Sequence, residues 1–163
     1  MGHIHRLYDF VVSVFIVHRP TGRQSAPRVL LVDHKKYDEW LPIGGHIELD
    51  EDPEAALFKE IREECGLKVR ILSDKPAVAH AGVKPILTPS FMDVHRITDV
   101  HKHIAFIYFA VAQNDKVRLH EREHREYRWV AEKELKSKDL KLTRSILFYC
   151  RAALRAARRD LAG

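Results

Sequence analysis

The sequence predicts an α+β or layered α/β fold in one domain, and three observations carry this. Short segments rich in valine and aromatic residues, the mark of strands, surround one acidic segment with helix start and stop signals. A second run near the C-terminus repeats its apolar residues at three- and four-residue steps. The resulting order of strands, helix, strands, helix requires layers, because each helix must bury one apolar stripe against a sheet. The length of 163 residues suits a single domain spanning 1–163, closed by a C-terminal helix at about 142–161.

The elements follow in order. YDFVVSVFIVH and RVLLVDHK read as strands, and RPTGRQSAP between them, with Pro, Gly and Ser, reads as a loop. EWLPIGGHIE predicts a short extended piece around a glycine turn. Asp52-Pro53 opens a helix, since Asp is a good N-cap and Pro suits the first helical position. Ala55, Ala56, Leu57, Phe58 and Ile61 supply its apolar side, and Gly66 ends it. LKVRILSD is a strand. The segment Pro76 to Val100, with three prolines, mixes strand and loop. HIAFIYFAVA is a buried strand, REYRWVA another, and EKELKSK a short helix or turn. In the last helix Ile146, Leu147, Cys150, Leu154, Ala157 and Leu161 form the core-facing stripe.

Composition narrows the class. Hydrophobic residues make up 45 % and charged residues 31 %, as in soluble globular proteins. The apolar run Phe10 to Val17 is too short to span a bilayer and is broken by Ser13, so no membrane association is expected. MGHIHRLYDFVV lacks the apolar stretch and cleavage site of a secretory leader. Cys65 and Cys150 stand far apart with no CxxC partner, which excludes a disulfide framework and points to a reducing, cytoplasmic setting. The net charge is +5, with Arg144, Arg151, Arg155, Arg158 and Arg159 late in the chain. No nucleic-acid-binding motif accompanies them, so nucleic acid is not an expected partner and a solvated helix face or a small anionic substrate fits better.

Against this basic background, residues 44 to 67, GGHIELDEDPEAALFKEIREECGL, gather Glu48, Asp50, Glu51, Asp52, Glu54, Glu60, Glu63 and Glu64. Glu60, Glu63 and Glu64 fall at i, i+3 and i+4, which on a helix share one face and repel. Hard divalent cations, which prefer oxygen ligands, would offset that repulsion. From Gly45, five residues lead to Glu51, and seven more lead to Lys59, Glu60, Ile61, Arg62, Glu63, Glu64, Cys65, Gly66 and Leu67. This resembles the Nudix box, Gx5Ex7REUxEExGU with U aliphatic, at every defined position except Lys59, which stands where the box has arginine. The preceding WLPIGGHIE and the flanking strands also look like the family, so the resemblance extends over most of the chain.

The resemblance implies a mixed β-sheet between helices, an α/β/α sandwich. It implies hydrolysis of a nucleoside diphosphate linked to another group X, by attack of water on a pyrophosphate phosphorus with Mg²⁺ or Mn²⁺. It implies that Glu63 and Glu64 are the principal metal ligands, that Glu60 is a further ligand or the general base, and that the carbonyl of Gly44 is an additional ligand. Gly45 is expected to turn the backbone tightly, and Gly66 to end the helix. Glu51 is expected to be structural, pairing with Lys59. Lysine keeps the arginine's charge but loses its fork of donors. A later acidic residue often joins such sites; Glu123 in HEREHREYRWV is the choice, with Glu121 and Glu126 as rivals.

Eleven histidines are many. His3, His5, His95, His101 and His103 lack the cysteine partners or HExxH spacing that would mark zinc. His46 follows the glycine pair and is a candidate for the substrate phosphates, as are His101 and His103; Trp40 and Phe91 are candidates for stacking on a base. The long NADH-type signature SQPWPFPxS is absent, and the compact length resembles the MutT-like hydrolases of nucleoside and deoxynucleoside triphosphates. The expected partner is a small nucleotide, with a homodimer left open. A nucleotide-binding sensor and an RNA-end pyrophosphohydrolase are the alternatives.

Overall fold

The computed structural model describes residues 7–20, 26–78 and 80–160. His3, His5 and Leu161 lie outside them. The strands are β1 (Tyr8–His18), β2 (Arg28–His34), β3 (Glu39–Leu41), β4 (Ile43–His46), β5 (Val69–Ile71), β6 (Phe91–Arg96), β7 (Lys102–Ala112) and β8 (His124–Ala131). Among the described residues two α-helices, α1 (Pro53–Glu60) and α2 (Arg144–Arg159), cover them, and a 3₁₀ turn spans Glu132–Glu134. The strands form one mixed sheet. Its axis is the parallel pair β1 and β7, in register from Tyr8 with Lys102 to His18 with Ala112. β6 and β5 pair with β7, β4 and β2 with β1, and β3 and β8 with β2, all antiparallel.

The central strands read as continuous apolar runs because both of their faces are covered. Val11, Phe15 and Val17 pack with Leu31, Phe109 and the α2 residues Cys150, Ala153, Leu154 and Ala157. Val12, Val14 and Ile16 pack with Leu30, Tyr108 and the α1 residues Ala56 and Leu57. The layers are therefore α1, sheet, α2, an α/β/α sandwich. Cys65 and Cys150 are free and buried, and burial pushes their thiols up to about 11 and about 12. Among the described residues no helix is long and apolar enough to cross a membrane.

Asp52 caps α1, its side chain accepting the Ala55 N–H at 2.9 Å, and Pro53 begins the helix. Two expectations change here. Ala55 and Phe58 are exposed, because only one side of the helix meets the sheet, and Ala56, Leu57 and Ile61 fill it. The helix also continues beyond Glu60 as a wider π-turn over Ile61–Cys65, closed by Gly66 N–H donating to the Ile61 carbonyl at 2.8 Å. Gly66 sits at φ 63°, in the left-handed region that glycine enters without strain. A third change concerns Gly44 and Gly45. They form part of strand β4 and neither has a positive φ, so no turn occurs there.

Candidate active site

The glycines of β4 are small because something lies against each. A Cβ on Gly44 would overlap the Val12 carbonyl and approach the Ser13 Cα at 3.0 Å. A Cβ on Gly45 would stand 2.6 Å from the Cδ of Glu60. Close approach of backbone and carboxylate, rather than a tight turn, is what these positions require.

Glu60 and Glu64 both point inward beneath this strand. Glu60 is 7 % exposed and Glu64 3 % exposed. Glu64 accepts the Gly44 N–H on Oε2 at 2.9 Å, and its Oε1 lies 3.1 Å from His124 Nε2. The Gly44 N–H thus fixes one oxygen of Glu64. Glu63 does not join them: it is half-exposed at the rim, and its Oε1 pairs with Arg62 at 3.4 Å. The π-turn gives the reason. Its wider winding keeps positions i and i+4 aligned and swings i+3 off the shared face.

Burial, and next the negative charge of Glu64, push the Glu60 carboxyl up to about 7. Lys59 limits the effect. Its Nζ donates to Glu51 Oε2 at 2.8 Å and stands 3.9 Å from Glu60 Oε1. Burial, the largest single influence, would raise the Glu51 carboxyl, but the hydrogen bond from Lys59, the Glu48 N–H and the Lys59 charge together outweigh it and hold the group below its usual range. Glu51 also accepts the Glu48 N–H at 3.2 Å, which fixes the entry to α1.

The loop before β8 completes the arrangement. Arg118 N–H donates to the Cys65 carbonyl at 2.8 Å, and His120 N–H to the Glu64 carbonyl at 3.1 Å. The loop thereby satisfies carbonyls that the end of the π-turn leaves open, and it delivers Glu123 and His124. One ligand atom from each of Glu64, Glu123 and His124 lies within 4.8 Å of the others. Glu121 and Glu126 are exposed and are not part of this group. His124, 1 % exposed, was not among the candidates from sequence. Its only local signal is adjacency to Glu123; nothing in the spacing of 60 residues from Glu64 announces the contact.

The donor set suits a hard divalent cation. Two buried carboxylates and a third at the rim offer oxygens, and the elevated Glu60 carboxyl marks a concentration of negative charge that a cation would relieve. Each Glu64 oxygen keeps a second lone pair beyond its present contact.

The remaining candidates lie elsewhere. Side chains alternate along β4, so His46 projects to the face opposite Gly45. It pairs with Asp9, Nε2 to Oδ2 3.5 Å, and its ring meets His103 at 4.9 Å. His101 Nε2 is 3.4 Å from the same Asp9 oxygen. Burial, and then His46, His95 and His101, push His103 down to about 4. Trp40 packs against the core on the α2 side with the Arg128 guanidinium 4.8 Å above its ring. Phe91 joins Phe109, Phe148 and Tyr149 at ring separations of 5.6 to 5.9 Å. The structure therefore groups Glu64, Glu123 and His124, sets Glu60 near enough for the charges of Glu64, Glu63 and Glu123 to raise its carboxyl, and places His46, Trp40 and Phe91 on the other face of the sheet.

Known proteins share this fold. The NUDIX domain family model matches residues 8–149. A solved structure of a NUDIX-family hydrolase from Clostridium perfringens is 31 % identical, with a TM-score of 0.78, covering 98 % of this chain and 100 % of its own. The Escherichia coli dihydroneopterin triphosphate pyrophosphohydrolase shares the fold at 14 % identity and a TM-score of 0.61, with 88 % of this chain and 94 % of that one covered. A MutT protein from Methanosarcina mazei does so at 18 % identity and 0.57, with 96 % and 98 % covered. No curated protein matches the sequence. With its box residues on the α1 face and its family match across nearly the whole described sheet, the chain belongs to the Nudix hydrolase family.

Proposed function

We propose that this chain hydrolyses a pyrophosphate bond in a nucleoside diphosphate linked to X, foremost a nucleoside or deoxynucleoside triphosphate, using Mg²⁺ or Mn²⁺ held by Glu60, Glu64 and Glu123 with Glu63 at the rim. The observation that carries the reading is the packing of Glu60 and Glu64 side by side against glycines 44 and 45, with the Glu60 carboxyl pushed up to about 7. Two acids buried together are costly unless something positive joins them. The bound cation would neutralise substrate charge and acidify a water.

The chain's own residues have distinct tasks. Gly44 N–H and His124 hold Glu64 from two sides, so its carboxylate is oriented before any ligand arrives. Lys59 steadies Glu51 and lies near Glu60, limiting the repulsion within the group. Glu60 serves as a further ligand or as the base for the attacking water, and a bound cation would lower its raised carboxyl and keep it ionised in either role.

The test is incubation with Mg²⁺ or Mn²⁺ and a panel of nucleoside triphosphates, dinucleotides and capped or triphosphorylated RNA, with the products identified. Inorganic pyrophosphate plus a nucleoside monophosphate from a triphosphate is the expected outcome. Tight binding of one panel member with no turnover on any would replace the reading by a sensor. Turnover confined to RNA ends, with binding that weakens steeply with salt, would move the substrate class.

A further inference from the structure

We propose that Asp9, His46 and His103 form a second cation site, for Zn²⁺ or a similar borderline divalent ion, on the opposite face of the sheet from the box carboxylates. The three residues come from β1, β4 and β7, which the sheet sets side by side: Val11 pairs with His46, and Asp9 with His103. One ligand atom from each lies within 4.8 Å of the other two. Asp9 Oδ2 is 3.5 Å from His46 Nε2. Zinc bonds of about 2.0 to 2.1 Å in a tetrahedron place neighbouring donors roughly 3.3 Å apart, so the observed spacing is near that edge. Two imidazoles and one carboxylate suit zinc, whereas Mg²⁺ selects an oxygen shell.

The surroundings fix these donors in place. Asp9 is 1 % exposed, and His101 Nε2, 3.4 Å from its Oδ2, restrains the carboxylate from a second side. The His103 ring stands edge-on to both His101 and His46, at 5.3 and 4.9 Å. His95 packs on His103 at 5.4 Å, and its Nδ1 is 2.9 Å from Asp93, which accepts the Tyr149 hydroxyl at 2.6 Å. A chain of contacts thus runs from α2 to the site. Three protein donors leave a fourth position for water or an exogenous anion. An ion here would tie β1, β4 and β7 together at one end of the sheet, two residues beyond Gly44.

The test uses full-length protein without an affinity tag, stripped with a chelator and then titrated with Zn²⁺ against a chromophoric competitor, and separately loaded with Co²⁺. One equivalent of Zn²⁺ should bind in the presence of excess Mg²⁺, raise the Tm, and persist in Glu60→Gln and Glu64→Gln. Co²⁺ should give the intense visible bands of a four-coordinate ion. Asp9→Asn and His103→Asn should weaken Zn²⁺ binding by tenfold or more. His46→Gln, at a more exposed position, supplies the same comparison if the buried variants misfold, with circular dichroism checking the fold. Absence of the Zn²⁺ equivalent, its undiminished retention in these variants, its loss in Glu64→Gln, or a weak six-coordinate Co²⁺ spectrum would each overturn the proposal.

Discussion

Gly45 and Glu60 compete for one space: a Cβ on Gly45 would stand 2.6 Å from the Glu60 Cδ. At Gly44 the obstacle is backbone, the Val12 carbonyl and Ser13 Cα. A flexible side chain can move aside, and a paired strand cannot. Gly45→Ala should therefore fold with a Tm close to wild type but lose turnover as Glu60 is displaced. Gly44→Ala should lose about 1–3 kcal/mol of stability, as overpacked sites do. Urea denaturation alongside kcat measurements checks both. Equal stability losses in the two variants would contradict the assignment.

Glu60 and His103 give stability opposite dependences on pH. Folded Glu60 titrates at about 7 against an ordinary 4.5, so it keeps a proton that the unfolded chain releases. Stability is lost as pH rises through that window. Folded His103 titrates at about 4 against 6.5, so the unfolded chain takes up a proton first, and stability is lost as pH falls from 6.5 towards 4. Each effect is at most about 3 kcal/mol. In chelator, Glu60→Gln should gain stability above pH 7 and then decline on acidification. His103→Asn should retain the decline with rising pH between 4.5 and 7. Parallel curves for wild type and Glu60→Gln across that range would contradict the Glu60 assignment.

His124 positions Glu64, with Nε2 and Oε1 3.1 Å apart. Outer partners of metal-binding groups contribute roughly 10–100-fold in affinity. His124→Gln is expected to weaken Mn²⁺ binding within that range, measured by titration of the substrate-free protein. Unchanged Mn²⁺ affinity with intact fold would leave His124 a packing residue only.

Lys59 stands where the family has arginine, and its short bond goes to Glu51. Lys59→Arg should leave turnover similar or higher, because the guanidinium can reach both Glu51 and Glu60. Lys59→Ala should reduce turnover by about tenfold, as the carboxylates lose their cation and Glu60 rises further. A large loss in Lys59→Arg would give the ammonium its own role.

Much of this molecule is written in local patterns. Asp52, Pro53 and Gly66 set the bounds of the helical segment because capping depends on residues within one turn. The runs YDFVVSVFIVH and HIAFIYFAVA mark the two central strands because both of their faces are covered. The spacing from Gly45 to Leu67 identifies the box. Its glycines predict a turn but stand in a strand, since sequence shows that a residue is small but not what lies against it. The apolar side of α1 is narrower than its sequence predicts, with Ala55 and Phe58 exposed, since sequence does not show where the sheet surface ends. Only the tertiary structure decided that Glu60 and Glu64 face inward while Glu63 does not, because the π-turn alters the winding on which helical spacing depends. It alone brought His124 to Glu64, and Asp9 to His46, His101 and His103. Those contacts join strands and loops distant in sequence, and the pairing of β1 with β4 and β7 creates them.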